Sequence, residues 1–193
     1  MRIQWETNTH NKMKNYANHI KVFGFLSLLL LVIPLQAQES PKLTDPEIAS
    51  VAVVANQIDI DFAKIALQKS KNKEVQDFAN RMIEDHTAVI EQAVALVTKL
   101  KVTPIDNAVS QSLLKQAEDT KVNLEKAKKN DFDKYYVDNE VAYHKQVIGA
   151  VNDLLIPETK NQELKELLET VVPALETHLG HAQMLQNKLT SKK

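Results

Sequence analysis

Apolar residues recur at intervals of three and four along the chain after residue 44, and this spacing is typical of α-helices rather than strands. The pattern predicts five helices, close to 45–69, 73–101, 108–128, 131–155 and 161–190. Thr44 with Glu47 three residues later predicts a capping box at the first helix, and Pro46 suits its opening turn. Pro104 follows the second helix and Pro157 ends the fourth.

Four of the predicted helices are long and carry one apolar stripe each, whereas the third helix, near 108–128, is more polar. Long amphipathic helices bury their stripes by packing together. The short loops between the first and second and between the fourth and fifth helices predict two hairpins, with the third helix lying across the outside. The predicted fold is therefore all-α, a ferritin-like antiparallel four-helix bundle with an extra connecting helix between the two hairpins. A simple up-down order is the alternative.

The N-terminal region has the form of a secretory signal peptide, with lysines before the apolar run VFGFLSLLLLVIPL and a small Ala37 after it. This run has fourteen residues, fewer than the roughly 20 that a membrane-spanning helix needs. We therefore predict a signal peptide at 1–37, a short linker at 38–43 and a helical domain at 44–190. The alternatives are an uncleaved N-terminal anchor and translation from Met13. The mature protein is expected in the periplasm or cell envelope, without a membrane span.

Composition excludes several kinds of function. The chain contains no cysteine, so disulfides, thiolate metal sites and thiol nucleophiles are ruled out. Its formal net charge is −1, and no basic stripe with interleaved aromatic residues is present, so no nucleic-acid partner is expected. A protein partner and an oligomer both remain open.

Three histidines lie in the apolar stripes of three different long helices: His86, His144 and His178. A single buried histidine is commonly structural, but three that face one interior predict a metal site, which helical bundles build from facing helices. Asp59 shares the stripe of the first helix, and Glu140 lies one turn before His144. Imidazoles and carboxylates are suitable ligands for zinc, iron, copper or nickel. We predict that these five residues could bind a divalent transition metal.

Neighbouring polar residues are weaker candidates. Asp61 is the rival of Asp59 but suits a solvated face, and His181 is expected at the surface because it drifts off the apolar stripe. Asp85 is next to His86 in the chain. Adjacent residues on a helix point about 100° apart, so Asp85 is not expected to bind the same metal ion as His86.

The last helix also contains Pro173, which predicts a kink or a break just before His178. Residue counts from the hairpin turns place Asp59 and the three histidines in the middle of the bundle, but at different levels.

Four stretches carry the candidate ligands, and they read ANQIDIDFAKIALQKS, VQDFANRMIEDHTAVI, FDKYYVDNEVAYHKQVI and VVPALETHLGHAQML. In these stretches the chain resembles the bacterial exported family catalogued as domain of unknown function 4142, over roughly residues 50–188, with Val172 in place of a leucine. The resemblance implies a ferritin-like bundle and no established activity. Members are often labelled as outer membrane proteins, which we interpret as an address in the cell envelope.

The di-iron enzymes of ferritin-like folds use a Glu-x-x-His pair on each of two helices. This chain has no such pair, because Glu84 and Glu176 are two residues before a histidine and Glu140 is four before. Nor does the sequence contain a phosphate-binding loop or a nucleotide fingerprint. An enzyme is therefore not the first interpretation. Two hypotheses remain: an exported metal-binding bundle, and a non-catalytic structural or partner-binding envelope protein without a metal.

Overall fold

The computed structural model describes residues 42–191, and this part of the chain is all-helical, as the apolar pattern predicts. The helices are α1 (Asp45–Lys69), α2 (Lys73–Leu100), α3 (Ala108–Lys126), α4 (Lys129–Ala150), α5 (Ile156–Glu158) and α6 (Gln162–Ser191), with a π-helical segment (Val151–Leu155) between α4 and α5. The predicted signal peptide at 1–37 and most of the linker at 38–43 lie outside the described residues. Within 42–191, none of the helices has the length and apolar character required to cross a membrane.

Side chains cap the starts of α1, α2 and α3. The Glu47 carboxylate accepts hydrogen bonds from the backbone N–H and the hydroxyl of Thr44, at 2.8 and 2.7 Å, so the predicted capping box is confirmed. Asn72 caps α2 by accepting a hydrogen bond from the N–H of Glu74, and Asn107 caps α3 in the same way. These caps give partners to N–H groups that the first turn of a helix leaves free.

The four long helices pack in two pairs, α1 with α2 and α4 with α6, and the pairs contact each other through α2 with α6 and α1 with α4. The third helix differs from its predicted place across the outside. It packs along α1, and its Ala117 and Leu124 are buried in the apolar core. A polar helix can contribute to a core through a few small or apolar positions on one face.

Buried apolar side chains form two clusters, one towards each end of the long helices. The first cluster includes Phe62, Phe78, Met82, Phe132 and Tyr136, and the second includes Ile48, Val51, Leu155, Leu164 and Leu168. Between them lies a layer of buried polar side chains. On α6, for example, His178 falls between Leu175 of the second cluster and Ala182 of the first.

Two proline-containing segments differ from the sequence predictions. After α4 the chain continues as the π-helical segment and then as α5, which contains Pro157, so the helical path ends at Glu158 rather than near residue 155. Pro173 does not break the last helix, because α6 runs without interruption from Gln162 to Ser191.

Candidate metal centre

The three predicted histidines meet inside the protein. The ring centroids are 5.3 Å apart for His86 and His178, 5.5 Å for His144 and His178, and 5.8 Å for His86 and His144. All three side chains are buried. The helices α2, α4 and α6 therefore each deliver one imidazole to a common point.

The three rings lie in one layer, so the prediction that the site residues lie at different levels was wrong. That count ended the fourth helix near residue 155. With the extension to α5, His144 lies fourteen residues before Glu158, and His178 lies sixteen residues after Gln162. The π-helical segment and α5 thus bring the two histidines to similar depths.

One nitrogen of each ring is close to a protein oxygen, and this contact fixes where the ring proton sits. Because amide, carbonyl and carboxylate oxygens accept hydrogen bonds, the nitrogen that faces each of them donates. The pairs are His86 Nδ1 with Asn56 Oδ1 at 2.7 Å, His144 Nδ1 with the Glu140 carbonyl oxygen at 3.0 Å, and His178 Nε2 with Asp85 Oδ2 at 2.9 Å.

The other nitrogen of each ring then carries a lone pair in the neutral imidazole. These atoms are His86 Nε2, His144 Nε2 and His178 Nδ1, and none of them has a hydrogen-bond partner within residues 42–191. One ring nitrogen from each histidine lies within 4.8 Å of the others. Metal-binding histidines have this arrangement, in which an outer N–H bond to oxygen orients the ring and the inner nitrogen faces the ion.

Asp59 is buried beside this cluster, as its place in the α1 stripe predicts. Its side chain is 0% exposed, and Oδ2 lies 3.3 Å from His86 Nε2 and 3.5 Å from His144 Nε2. Burial opposes ionisation, but the interaction with the nearby histidines, that with His86 being the largest, lowers the pKa of Asp59 below its ordinary value. Within residues 42–191, the groups close enough to donate a proton to this carboxylate are the His86 ring and a protonated Glu140. The Asp59 anion therefore depends on a neighbouring proton donor or cation.

Glu140 lies behind Asp59, also 0% exposed, with Oε2 3.6 Å from His144 Nδ1. Burial, together with the negative charge of Asp59, raises the pKa of Glu140 well above its ordinary value. Asp59, Glu140 and His144 also form a second group whose ligand atoms lie within 4.8 Å of one another.

The imidazoles of His144 and His178 are neutral at neutral pH. Burial lowers the pKa of both rings, and the nearby histidines add to this effect, against the opposing influence of Asp59 on His144 and of Asp85 on His178. Neutral imidazole is the form that binds a metal ion.

Two outer residues were not predicted from the sequence: Asn56, which orients His86, and Asp85, which orients His178 from the neighbouring helix. Asp85 is the neighbour of His86 in the chain, and that position does not indicate a contact with His178. No feature of the sequence pairs α2 with α6 at this register, so the contact could not be found by spacing.

The remaining candidates lie outside the centre. Asp61 is half-buried, accepts a hydrogen bond from the Gln57 side chain at 2.9 Å and lies 4.0 Å from Lys121 Nζ. The prediction that His181 is exposed was wrong. Its ring is half-buried, edge-on to Phe78 at 5.2 Å, because α6 packs closely on α2 there.

Comparison with known proteins agrees with the resemblance noted in the sequence. The family model described as Domain of unknown function (DUF4142) matches residues 32–185, which include α1 to α5 and most of α6. No curated protein and no solved structure matches the chain. Because the family match covers most of the sequence, the chain belongs to the DUF4142 family.

Proposed function

We propose that this protein is an exported, ferritin-like four-helix bundle that binds one divalent transition metal ion through His86, His144 and His178, with Asp59 as a fourth ligand. The observation that carries the proposal is the convergence of three imidazoles, each with one ring nitrogen bonded to a protein oxygen and the other without a hydrogen-bond partner in residues 42–191. Glu140 then supports the centre from behind Asp59, and the proposed function is binding rather than catalysis.

The electrostatics of the layer favour a metal ion over an empty polar cluster. With neutral rings, the Asp59 carboxylate faces the lone pairs of His86 and His144. A buried anion that faces lone pairs costs free energy, and a cation between the ligands removes that cost.

A proton shared by His86 and Asp59 is the metal-free alternative. Their separation of 3.3 Å is longer than the roughly 2.7–2.9 Å of a charge-assisted N–H···O bond. A second proton in the layer would place two charged rings little more than 5 Å apart, and their repulsion opposes that state. One dipositive ion satisfies all four ligands together.

The donor set limits the kind of metal. Three imidazoles and one carboxylate suit zinc, iron(II), copper(II) or nickel(II), whereas calcium and magnesium prefer oxygen ligands. The neutral rings and one anionic carboxylate leave a dipositive ion with an excess charge of about +1. That excess charge favours a further anionic ligand at the centre.

Metal analysis of protein purified without a polyhistidine tag tests the proposal. The wild type should take up one equivalent of metal from a micromolar supply, and His144→Ala and His178→Ala should lose it. His181→Ala is the matched control, because His181 is also a partly buried histidine of α6 but lies against Phe78 instead of the centre. Equal uptake by all the variants, or no uptake by the wild type, would leave the metal-free structural hypothesis.

A further inference from the structure

A cavity of about 490 Å³ adjoins the candidate metal centre and extends into the second apolar cluster. His86, His144 and His178 line one part of it, and Leu164 and Leu168 line another. Since Leu164 precedes His178 by fourteen residues on α6, the cavity extends about 20 Å along that helix. Its volume lies in the range of roughly 300–1,000 Å³ that is typical of small-molecule sites.

The wall of the cavity separates polar from apolar chemistry. The fully buried polar side chains along it are Asp59 and the three histidines, all in the metal-centre layer. Gln92, Gln116 and Gln146 also line it, but they are exposed to solvent and form its rim. The buried remainder of the wall is aliphatic. A ligand that fits this wall has one polar end and an apolar body.

The cavity interrupts the close packing of the protein interior, where voids larger than a water molecule are few. Its size is sufficient for a small molecule. Val151 and Leu155, the first and last residues of the π-helical segment, both line it. Single π-helical turns inside α-helices are frequent at functional sites. Ala88 of α2 and Ala174 of α6 line the cavity and are exposed, so it reaches solvent where these helices meet.

We propose that the cavity binds a straight-chain aliphatic carboxylate, with the chain along the apolar wall and the carboxylate at the metal centre. The preference for a carboxylate rests on the proposed metal function, because the excess positive charge of the loaded centre attracts an anion. Without the metal, a ligand carboxylate at that end of the cavity has no cation to bind and meets the Asp59 side chain instead. The binding of the chain itself does not depend on the metal.

Titration calorimetry with hexanoate, octanoate, decanoate and dodecanoate tests the proposal on the intact protein. For the metal-loaded protein, affinity should rise about fourfold for each added methylene until the chain fills the cavity. The matching 1-alkanols should bind more weakly than the carboxylates when metal is bound and more tightly when it has been removed. Affinity that does not change with chain length overturns the proposal.

A matched pair of variants locates the site. Ala93 is buried and lines the cavity, whereas Ala95, two residues later on α2, is exposed and does not line it. Ala93→Leu should weaken decanoate binding at least tenfold with the metal content unchanged, and Ala95→Leu should bind like the wild type. Equal affinities for the two variants would overturn the assignment. If Ala93→Leu does not fold, the chain-length series on the wild type still decides.

The two proposals fail in different ways. A protein that takes up no metal but binds alkanols with the expected dependence on chain length refutes the metal centre and retains the apolar-chain site. A protein that binds metal but shows no dependence on chain length refutes the ligand and retains the metal centre.

Discussion

Replacing Asp59 with asparagine should have opposite effects on the metal-free and the metal-bound protein. The substitution keeps the size of a side chain that is 0% exposed and removes its charge. In the metal-free protein with neutral rings, that charge is buried and faces the lone pairs of His86 and His144. An unsatisfied buried polar group costs about 1–3 kcal/mol, and more when it is charged, so asparagine should stabilise the metal-free protein by about 2 kcal/mol.

In the metal-bound protein, Asp59→Asn should reduce the stabilisation that the metal provides. At a free metal concentration of 1,000 times Kd, binding adds about 4 kcal/mol to the free energy of unfolding. If loss of the carboxylate weakens binding about a hundredfold, the metal adds only about 1.4 kcal/mol at the same concentration. For a domain of this size 1 kcal/mol corresponds to about 2–4 °C in Tm, so the rise in Tm on adding metal should fall from about 8–16 °C to about 3–6 °C.

Thermal unfolding with chelator and with added metal measures both effects. Asp61→Asn is the control, because Asp61 is on the same helix and only half-buried, with partners outside the centre. This variant should change Tm little and should leave the rise on adding metal as in the wild type. The reasoning is refuted if Asp59→Asn lowers Tm equally with and without metal, or if it behaves like Asp61→Asn.

Four further predictions concern the outer residues, pH and processing. Asn56→Ala should weaken metal binding about 10- to 100-fold, measured by competition with a chromophoric chelator, whereas Asn56→Asp, which still accepts the ring N–H, should retain affinity. Because the pKa of His144 and of His178 is lowered on folding, the unfolded chain binds more protons, so metal-free stability in thermal melts should fall as pH drops below 6.5. Because the pKa of Glu140 is raised on folding, the folded protein binds more protons at this site, and metal-free stability falls as pH rises above 4.5. Glu140→Gln should therefore stabilise the metal-free protein at neutral pH but not below pH 4.5. N-terminal sequencing of the protein from the periplasmic fraction should begin near Gln38, and recovery only with membranes and an intact leader would support the uncleaved anchor.

The sequence was sufficient to predict that the candidate ligands face inward. The helical period places Asp59, His86, His144 and His178 on apolar stripes, and each is buried in the structure. That inference needs only the geometry of a single helix. It gave the right side chains because a polar residue within an apolar stripe is buried along with its neighbours.

Contacts between helices could not be predicted in the same way. The hydrogen bonds of Asn56 to His86 and of Asp85 to His178 depend on how far one helix slides along another, and spacing within a single helix does not define that distance. The π-helical segment Val151–Leu155 was also missed, because its residues have the same apolar pattern as the α-helix before it. The cavity arises from the separation of packed helices, for which the sequence alone has no signal.

X-ray absorption spectroscopy at the edge of the bound metal tests the metal centre most directly. The untagged protein, loaded with one equivalent of zinc, should give three imidazole nitrogens at about 2.0–2.1 Å and one or two oxygen ligands. The imidazole contribution should fall by one ring in His178→Gln and stay at three rings in His181→Gln. A shell of oxygen ligands alone, or three imidazoles that persist in His178→Gln, would contradict the assignment of the centre to His86, His144 and His178.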